Sequence, residues 1–205
     1  EPMTPSQQRA IERIEIAGQH LLGMVNDLMD LSKLDLGGIH IEARAFDIAE
    51  EWPQAVTIVL PMARARNITI RTPHYDGAQT SLWREAGDEE PLTGAWVKAD
   101  PMRVRQILVN LMTNAIKYNR EDGGISVAIH QTQEAVQISV IDTGYGLTPE
   151  QLVHIGEPFN RLGAEQTGVE GSGLGLALSR NLAQAMGGEL TIDSTVGCGT
   201  RATLI

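Results

Sequence analysis

Cysteine is nearly missing from this chain of 205 residues: its one thiol, Cys198, excludes an internal disulfide and a cysteine-based zinc site. That scarcity suits a reducing, cytoplasmic setting. Aromatic residues supply only 4%, so the core has to be assembled from Leu, Ile, Val, Ala and Met. Basic charge is also short, with 16 Lys and Arg against 26 Asp and Glu and no basic run, which excludes a nucleic-acid or anionic-membrane surface. An anionic small molecule is not excluded, because beyond a Debye length of about 8 Å net charge is screened and local donors decide. No apolar run reaches the roughly 18 residues of a membrane span, and no secretory-type segment occurs. The chain is therefore expected neither to cross a membrane nor to be exported on its own sequence.

What is present falls into an order. Thr4 to Gln7 reads as a capping box with Pro5 at the first helical position, opening the amphipathic run SQQRAIERIEIAGQHLLGMVNDLMDLSKLD. Ile11, Ile14, Gly18, Leu21, Val25 and Leu28 keep a 3,4 spacing, flanked by Leu22, Met29 and Leu36; so wide a stripe suits a helical bundle. One helix cannot form a bundle, so a second copy or helices outside this chain must cover it. Gly37 and Gly38 should stop the helix, after which IHIEARAFDI alternates like a strand and Asp47 is placed to cap a second helix. The domain boundary is drawn here, giving 1–38 and 39–205.

Pro53 and Pro61 predict a shortened or kinked helix over 48–65, NITIRT a strand, and the polar, acidic stretch 73–94 a long loop or insertion. Asp100 and Pro101 start a further helix, and ISVAIHQT and AVQISVIDTG suit neighbouring antiparallel strands. A short helix is expected from Thr148 to about Ile155, then a glycine-bearing loop from Leu162 to Ser172, then a helix from near Gly173. ELTIDST and TRATLI close the chain as a hairpin around VGCGT. These elements predict an α+β fold: a two-layer α/β sandwich with a mixed, mainly antiparallel sheet, preceded by one long helix.

Three motifs carry chemistry. In the helix after Asp100, Asn110, Thr113, Asn114 and Lys117 fall at i, i+3, i+4 and i+7, opposite Ile107, Leu108, Leu111, Met112 and Ala115. Alone this stripe reads as an exposed face, but an amide oxygen also suits magnesium beside phosphate oxygens, and Lys117 suits a phosphate. DTGYGL sets Asp142 at a strand end with Gly144 and Gly146 after it; alone it is a turn, though a carboxylate there can accept from an exocyclic amine such as adenine's. EGSGLGLALSRNL puts Gly171, Gly173 and Gly175 at a loop-to-helix junction that favours phosphate or serves as a flexible cap. It matches neither a Rossmann fingerprint nor a P-loop.

In sequence, NLMTNAIKYN, DTGYGL, EPFNRL, GSGLGL and GCGT closely resemble the N, G1, F, G2 and G3 boxes of the bacterial sensor histidine kinases. ERIEIAGQHLLGMVNDLMDLSKLDLGG likewise resembles the second helix of that family's dimerisation and phosphotransfer domain, so the resemblance spans nearly the whole chain. It implies a Bergerat-type ATP-binding fold and the catalytic ATP-binding domain of a two-component kinase, with ATP and Mg2+ bound. Asn114 would ligate the metal, Asn110 would support it, Lys117 would meet phosphate and Tyr118 would border the nucleotide. Asp142 would bond the adenine amine in a pocket shaped by Gly144 and Gly146, with Thr200 near the base through water. Phe159 and Arg161 would precede a mobile ATP lid at Leu162 to Ser172, Arg161 stabilising charge during transfer, and Gly171, Gly173, Leu174 and Gly175 would bind the nucleotide. An acid stands at the first asparagine position in the related gyrase and mismatch-repair ATPases, so Asn110 implies a site that holds ATP for transfer and hydrolyses it poorly.

The family's phosphoacceptor His lies in a first bundle helix that has no counterpart here. His20 falls in the second helix and is not that acceptor, while His40, His74, His130 and His154 form no metal spacing. The resemblance therefore implies a fragment that donates the γ-phosphoryl group to a His outside this chain. Its implied partners are a response-regulator receiver domain, a second copy through the long helix, and an upstream sensor domain. The missing acceptor also leaves a scaffold reading, a pseudokinase acting through dimerisation and docking, and Asn110 weakens a third, a stand-alone ATPase.

Overall fold

The computed structural model describes residues 3–35, 39–74, 82–85, 94–131, 135–163 and 171–205. They divide into two compact units, Glu1–Ile39 and His40–Ile205. The first unit is a single helix, α1 (Pro5–Asp35), of 31 residues. Its start is the expected capping box: Thr4 N donates to Gln7 Oε1 (2.8 Å) and Gln7 N to Thr4 Oγ1 (3.3 Å). Ile11, Ile14, Leu21, Leu22, Val25, Leu28 and Met29 are all exposed along it. The glycines expected to end it lie outside the described residues.

In the second unit, β1 (Arg44–Asp47) pairs antiparallel with β4 (Trp96–Ala99) as a separate two-stranded ribbon. The main sheet has six strands, in the order β3 (Leu82–Glu85), β2 (Thr69–His74), β5 (Gly124–Gln131), β6 (Val136–Asp142), β8 (Gly199–Leu204) and β7 (Leu190–Thr195). Only β2 and β5 run parallel. The helices are α2 (Ile48–Ala65), α3 (Pro101–Lys117), α4 (Pro149–His154) and α5 (Gly175–Ala185). α3 packs between α2 and α5 and lies on β5 and β6, so the mixed two-layer sandwich is the observed fold.

Alternation sets the sheet's inner face. Ile125, Val127 and Ile129 of β5 are buried and stand opposite Asp142, Val140 and Ile138 of β6. The period of two thus places the Asp142 carboxylate in the same row as the apolar core. Ile107, Leu108, Met112 and Ile116 of α3 are fully buried against this layer, each contributing about 1.5 to 3 kcal/mol on removal from water. Among the described residues no helix is long and apolar enough to cross a membrane.

Some expected elements differ. The strand read from IHIEARAFDI is confined to Arg44–Asp47, because its partner β4 has only four residues and Glu42 N donates instead to Asp100 Oδ2 (3.1 Å). β4 itself carried no recognised pattern. α2 is neither cut nor shortened by its prolines: Pro53 and Pro61 both sit inside one helix of 18 residues, whose Trp52, Ala55, Val56, Val59 and Ala63 are buried. That packing outweighs the two missing donors. Part of the predicted loop at 73–94 is ordered as well, since β2 runs to His74 and pairs with β3, a short edge strand. The remainder of that stretch lies outside the described residues.

Asp100 joins the ribbon to the sandwich. Its Oδ1 accepts from Met102 N (3.0 Å) and Arg103 N (3.3 Å), capping α3, while Oδ2 holds Glu42 N. Asp100→Ala should destabilise the fold by about 2 kcal/mol, the upper range for an N-cap, because three amides lose their acceptor. Asp100→Asn should cost clearly less; equal denaturation midpoints for wild type and Asp100→Ala would refute this role.

Candidate functional site

α3 carries one wall of the site. Asn110, Thr113, Asn114 and Lys117 are half-buried, opposite the buried Ile107, Leu108, Leu111, Met112 and Ala115. Asn110 Nδ2 donates to Ser179 Oγ in α5 (2.9 Å), and a Cβ on Gly175 would overlap the Asn110 carboxamide. Glycine at the start of α5 thus lets that helix close over α3. Asn114 makes no side-chain hydrogen bond among the described residues, so a half-buried amide stands with its donors and acceptor unused. The end of α3 is held by Arg66, whose Nη1 donates to Ile116 O (2.8 Å) and Lys117 O (2.7 Å), carbonyls of the last turn that cannot be paired by a further turn of helix.

Asp142 is 9% exposed. Its Oδ1 accepts from Gly144 N (2.7 Å) and Thr200 N (3.2 Å), and both described bonds fall on that one oxygen. Burial pushes its pKa above the ordinary 3.8, and the Gly144 and Thr200 amides oppose that rise. Two close approaches pack main chain around Asp142: a Cβ on Gly144 would lie 2.8 Å from Asp142 Oδ1 and would overlap Tyr118 O, and one on Gly199, at φ +109°, would overlap Asp142 O. Tyr145 N donates to Tyr118 O (3.3 Å), tying this loop to the end of α3. The Thr200 hydroxyl is bonded to Ser194 Oγ (2.9 Å); because Ser194 donates to Gly199 O (2.9 Å), Thr200 is the donor. Ser194 Oγ also accepts from Leu147 N (2.9 Å), so one serine joins the hairpin to the Asp142 loop.

Phe159, Arg161 and the glycine loop meet at the start of α5. Phe159 is exposed, has φ +65°, and donates its N–H to Gly173 O (3.2 Å). Gly173 has φ +72°, and a Cβ there would lie 2.9 Å from Phe159 C and 3.2 Å from Arg161 Cγ. Gly171 and Leu174 flank it, Leu174 being buried, with its N–H donating to Ser172 Oγ (3.2 Å). Most of the predicted lid lies outside the described residues, and α5 begins at Gly175, two residues after the expected start.

The structure thus brings Asn110 to Gly175, Tyr118 to Gly144, and Phe159 and Arg161 to Gly173. Several supporting residues were not singled out from the sequence. Asn119 is 1% exposed; its Nδ2 donates to Gly124 O (3.1 Å), and its Oδ1 accepts from Arg120 N (3.0 Å) and Thr143 Oγ1 (3.3 Å). The signal available for it was the third asparagine of NLMTNAIKYN, set just before the REDGG turn. Arg180 Nη1 donates to Ile155 O (2.6 Å) and packs on Gly156, fixing the end of α4 to α5. Among the described residues no group of three or more His, Cys, Asp or Glu stands ready for a metal, so a cation here needs oxygens brought by its ligand. A cavity of about 430 Å3 lies at the opposite end of α3, around Glu51, Asp100 and Arg105, and none of the motif residues lines it.

Replacing the buried charge gives a pH-dependent prediction. Because the folded pKa of Asp142 is raised above 3.8, ionising it costs stability as pH climbs through the folded value. Asp142→Asn keeps an oxygen for both amides, so its melting temperature should equal or exceed wild type at pH 7. The gain should shrink as pH falls through the folded value toward 3.8 and wild-type Asp142 takes up its proton. A variant that melts lower at pH 7 and recovers on acidification contradicts the sign.

Comparison with known proteins adds a family. Residues 99–205 match the family described as histidine kinase-, DNA gyrase B- and HSP90-like ATPase. The histidine protein kinase DivJ of Caulobacter vibrioides is 32% identical over 203 residues, covering 99% of this chain and 31% of DivJ. The chain therefore spans about a third of that relative. Full-length ShkA, solved in complex with AMPPNP, superposes with a TM-score of 0.75 at 28% identity, covering all of this chain and 39% of ShkA. The histidine kinase ThkA, solved in complex with the response regulator protein TrrA, shares the fold at a TM-score of 0.68 and 20% identity, covering all of this chain and 52% of ThkA.

Proposed function

The chain belongs to the histidine kinase-, DNA gyrase B- and HSP90-like ATPase family, and we propose that it is the ATP-binding catalytic portion of a two-component sensor histidine kinase. On this reading it donates the γ-phosphoryl group of ATP to a His outside this chain, for relay to a response-regulator Asp. The observation that carries it is the layout along α3. The Asp142 pocket abuts Tyr118, the glycine loop abuts Asn110, and these lie roughly 12 Å apart at about 1.5 Å rise per residue. Asn114 sits between them, its carboxamide making no hydrogen bond among the described residues. A base at one end and phosphates at the other would fill that span. The ATPase description of the family and AMPPNP on ShkA support the nucleotide.

Each residue then has a task. Asp142 accepts from the adenine amine, Gly144 and Gly146 let the main chain at Tyr118 and Thr195 pack against the loop that frames the base, and Thr200 fixes the carboxylate through its N–H. Tyr118 borders the nucleotide. Gly171, Gly173, Leu174 and Gly175 present the start of α5 to phosphate, where free amides and the helix dipole favour negative charge. Lys117 meets phosphate, and Phe159 and Arg161 enter from the segment before the lid, Arg161 stabilising developing charge. Asn110, an amide held by Ser179, cannot take a proton from water, which suits transfer over hydrolysis. The Asn114 amide oxygen fits Mg2+, a hard cation that, when bound, neutralises phosphate charge and orients the γ-phosphorus. In the reaction a nitrogen of the acceptor imidazole bonds to that phosphorus as its bond to the β-bridging oxygen breaks, and ADP leaves.

The first unit is read as the second helix of the dimerisation bundle, and residues 39–205 as the catalytic domain. The exposed Ile14, Leu21 and Leu22 support pairing with a second copy, since such a stripe is stable only when covered. A response-regulator receiver domain and an upstream sensor domain complete the partners, in a cytoplasmic setting; ThkA, solved with the response regulator protein TrrA, supports the first.

The test is transfer of the labelled γ-phosphoryl group from ATP to a separately supplied first bundle helix of the parent protein. Phosphohistidine should form with the wild-type chain and fall at least about a hundredfold with Asn114→Ala, while ADP binding without Mg2+ stays within about threefold. Transfer that survives Asn114→Ala would sink the metal role. A folded wild type that binds Mg-ATP but transfers nothing would favour the scaffold reading.

A further inference from the structure

Arg120 belongs to none of the motifs, yet its guanidinium joins the segments that enclose Asp142. It follows the buried Asn119 at the turn after α3, with its own N–H fixed on Asn119 Oδ1 (3.0 Å). From there Nη2 donates to Gly144 O (3.3 Å), in the loop after β6, and to Gly197 O, at the tip of the β7–β8 hairpin. The main chain links the same places: Tyr145 N donates to Tyr118 O (3.3 Å) and Gly197 N to Tyr145 O (2.8 Å). The two amides on Asp142 Oδ1 come from these segments, Gly144 N and Thr200 N, the latter three residues beyond Gly197.

We propose that Arg120 is a positioning residue for base recognition: bridging two carbonyls, it holds the Gly144 loop and the Gly197 hairpin tip together so that Asp142 keeps both amides on one oxygen and presents the other to the base. The assignment rests on the nucleotide reading above and deepens it. Arg120 acts from the base side of the pocket, with the described bonds of its guanidinium directed to main-chain oxygens, so its effect is independent of how many phosphates the ligand carries. Lysine retains the charge and loses the planar fork, and is expected to restore the clamp in part.

The experiment uses the whole chain with Arg120→Ala and Arg120→Lys. Without nucleotide, amide hydrogen exchange at Gly144 and Thr200 should rise about tenfold in Arg120→Ala, with the β5 core amides unchanged and Arg120→Lys intermediate. By calorimetry the affinities for ADP and for ATP should fall by the same factor, about tenfold, and the preference for ADP over its inosine counterpart should narrow. Unchanged exchange at both amides overturns the proposal. So does a loss clearly larger for ATP than for ADP, which would make Arg120 a phosphate ligand. If Arg120→Ala fails to fold, Arg120→Lys decides by the same criteria. Wild-type chain that binds neither nucleotide sinks the ATP reading, while the exchange comparison still upholds or overturns the clamp.

Discussion

Asp142 lies in the inward row of β6, with Val140 and Ile138 beside it and Ile125 opposite, so a carboxylate occupies a position that strand geometry gives to the core. An ionised group there costs several kcal/mol unless it is bonded. Two amides supply the bonds, one from the next turn and one from β8, 58 residues further along the chain. Much of the surrounding design follows from bringing those amides in. Gly199 has to pass against the Asp142 carbonyl and Gly144 against the Tyr118 carbonyl, and a side chain at either position would collide with main chain. Ser194, Asn119 and Arg120 then pin the segments that deliver them.

α3 connects Asp142's surroundings to the glycine loop before α5. Its apolar face is locked by burial between α2 and α5, its start by Asp100 and its end by Arg66, so the opposite face is displayed on a fixed support. Two asparagines on that face differ in their bonding. Asn110 is engaged by Ser179 and covered by Gly175, whereas Asn114 has its amide unused among the described residues. A half-exposed amide with no protein partner stays hydrated and can exchange that water for a ligand at small cost. Within a single helical turn, one asparagine is thus tied to α5 and the other is left facing the space between the two ends of α3.

Local signals were legible in the sequence. The Thr4 and Asp100 caps, the alternation of β5 and β6, the short helix after Thr148 and the β7–β8 hairpin all depend on neighbours within a few residues. The residue types of the site were legible for the same reason, because glycines and polar residues stood at motif spacing. What could not be read was set from far away. β1 is short because its distant partner β4 is short, and α2 stays whole because packing overrides two prolines. The bonds from Asn110 to Ser179 and from Arg120 to Gly197 cross 69 and 77 residues, and no local pattern encodes either.

The central claim is that the Asp142 carboxylate, held by two amides on one oxygen, reads the exocyclic amine of adenine with the other. Inosine triphosphate differs from ATP chiefly in lacking that amine, so calorimetric titration of the wild-type chain with each isolates the contact. The account predicts that ATP binds at least about a hundredfold more tightly, since a buried carboxylate left facing a carbonyl loses its bond and gains repulsion. Equal affinities for the two nucleotides would contradict it.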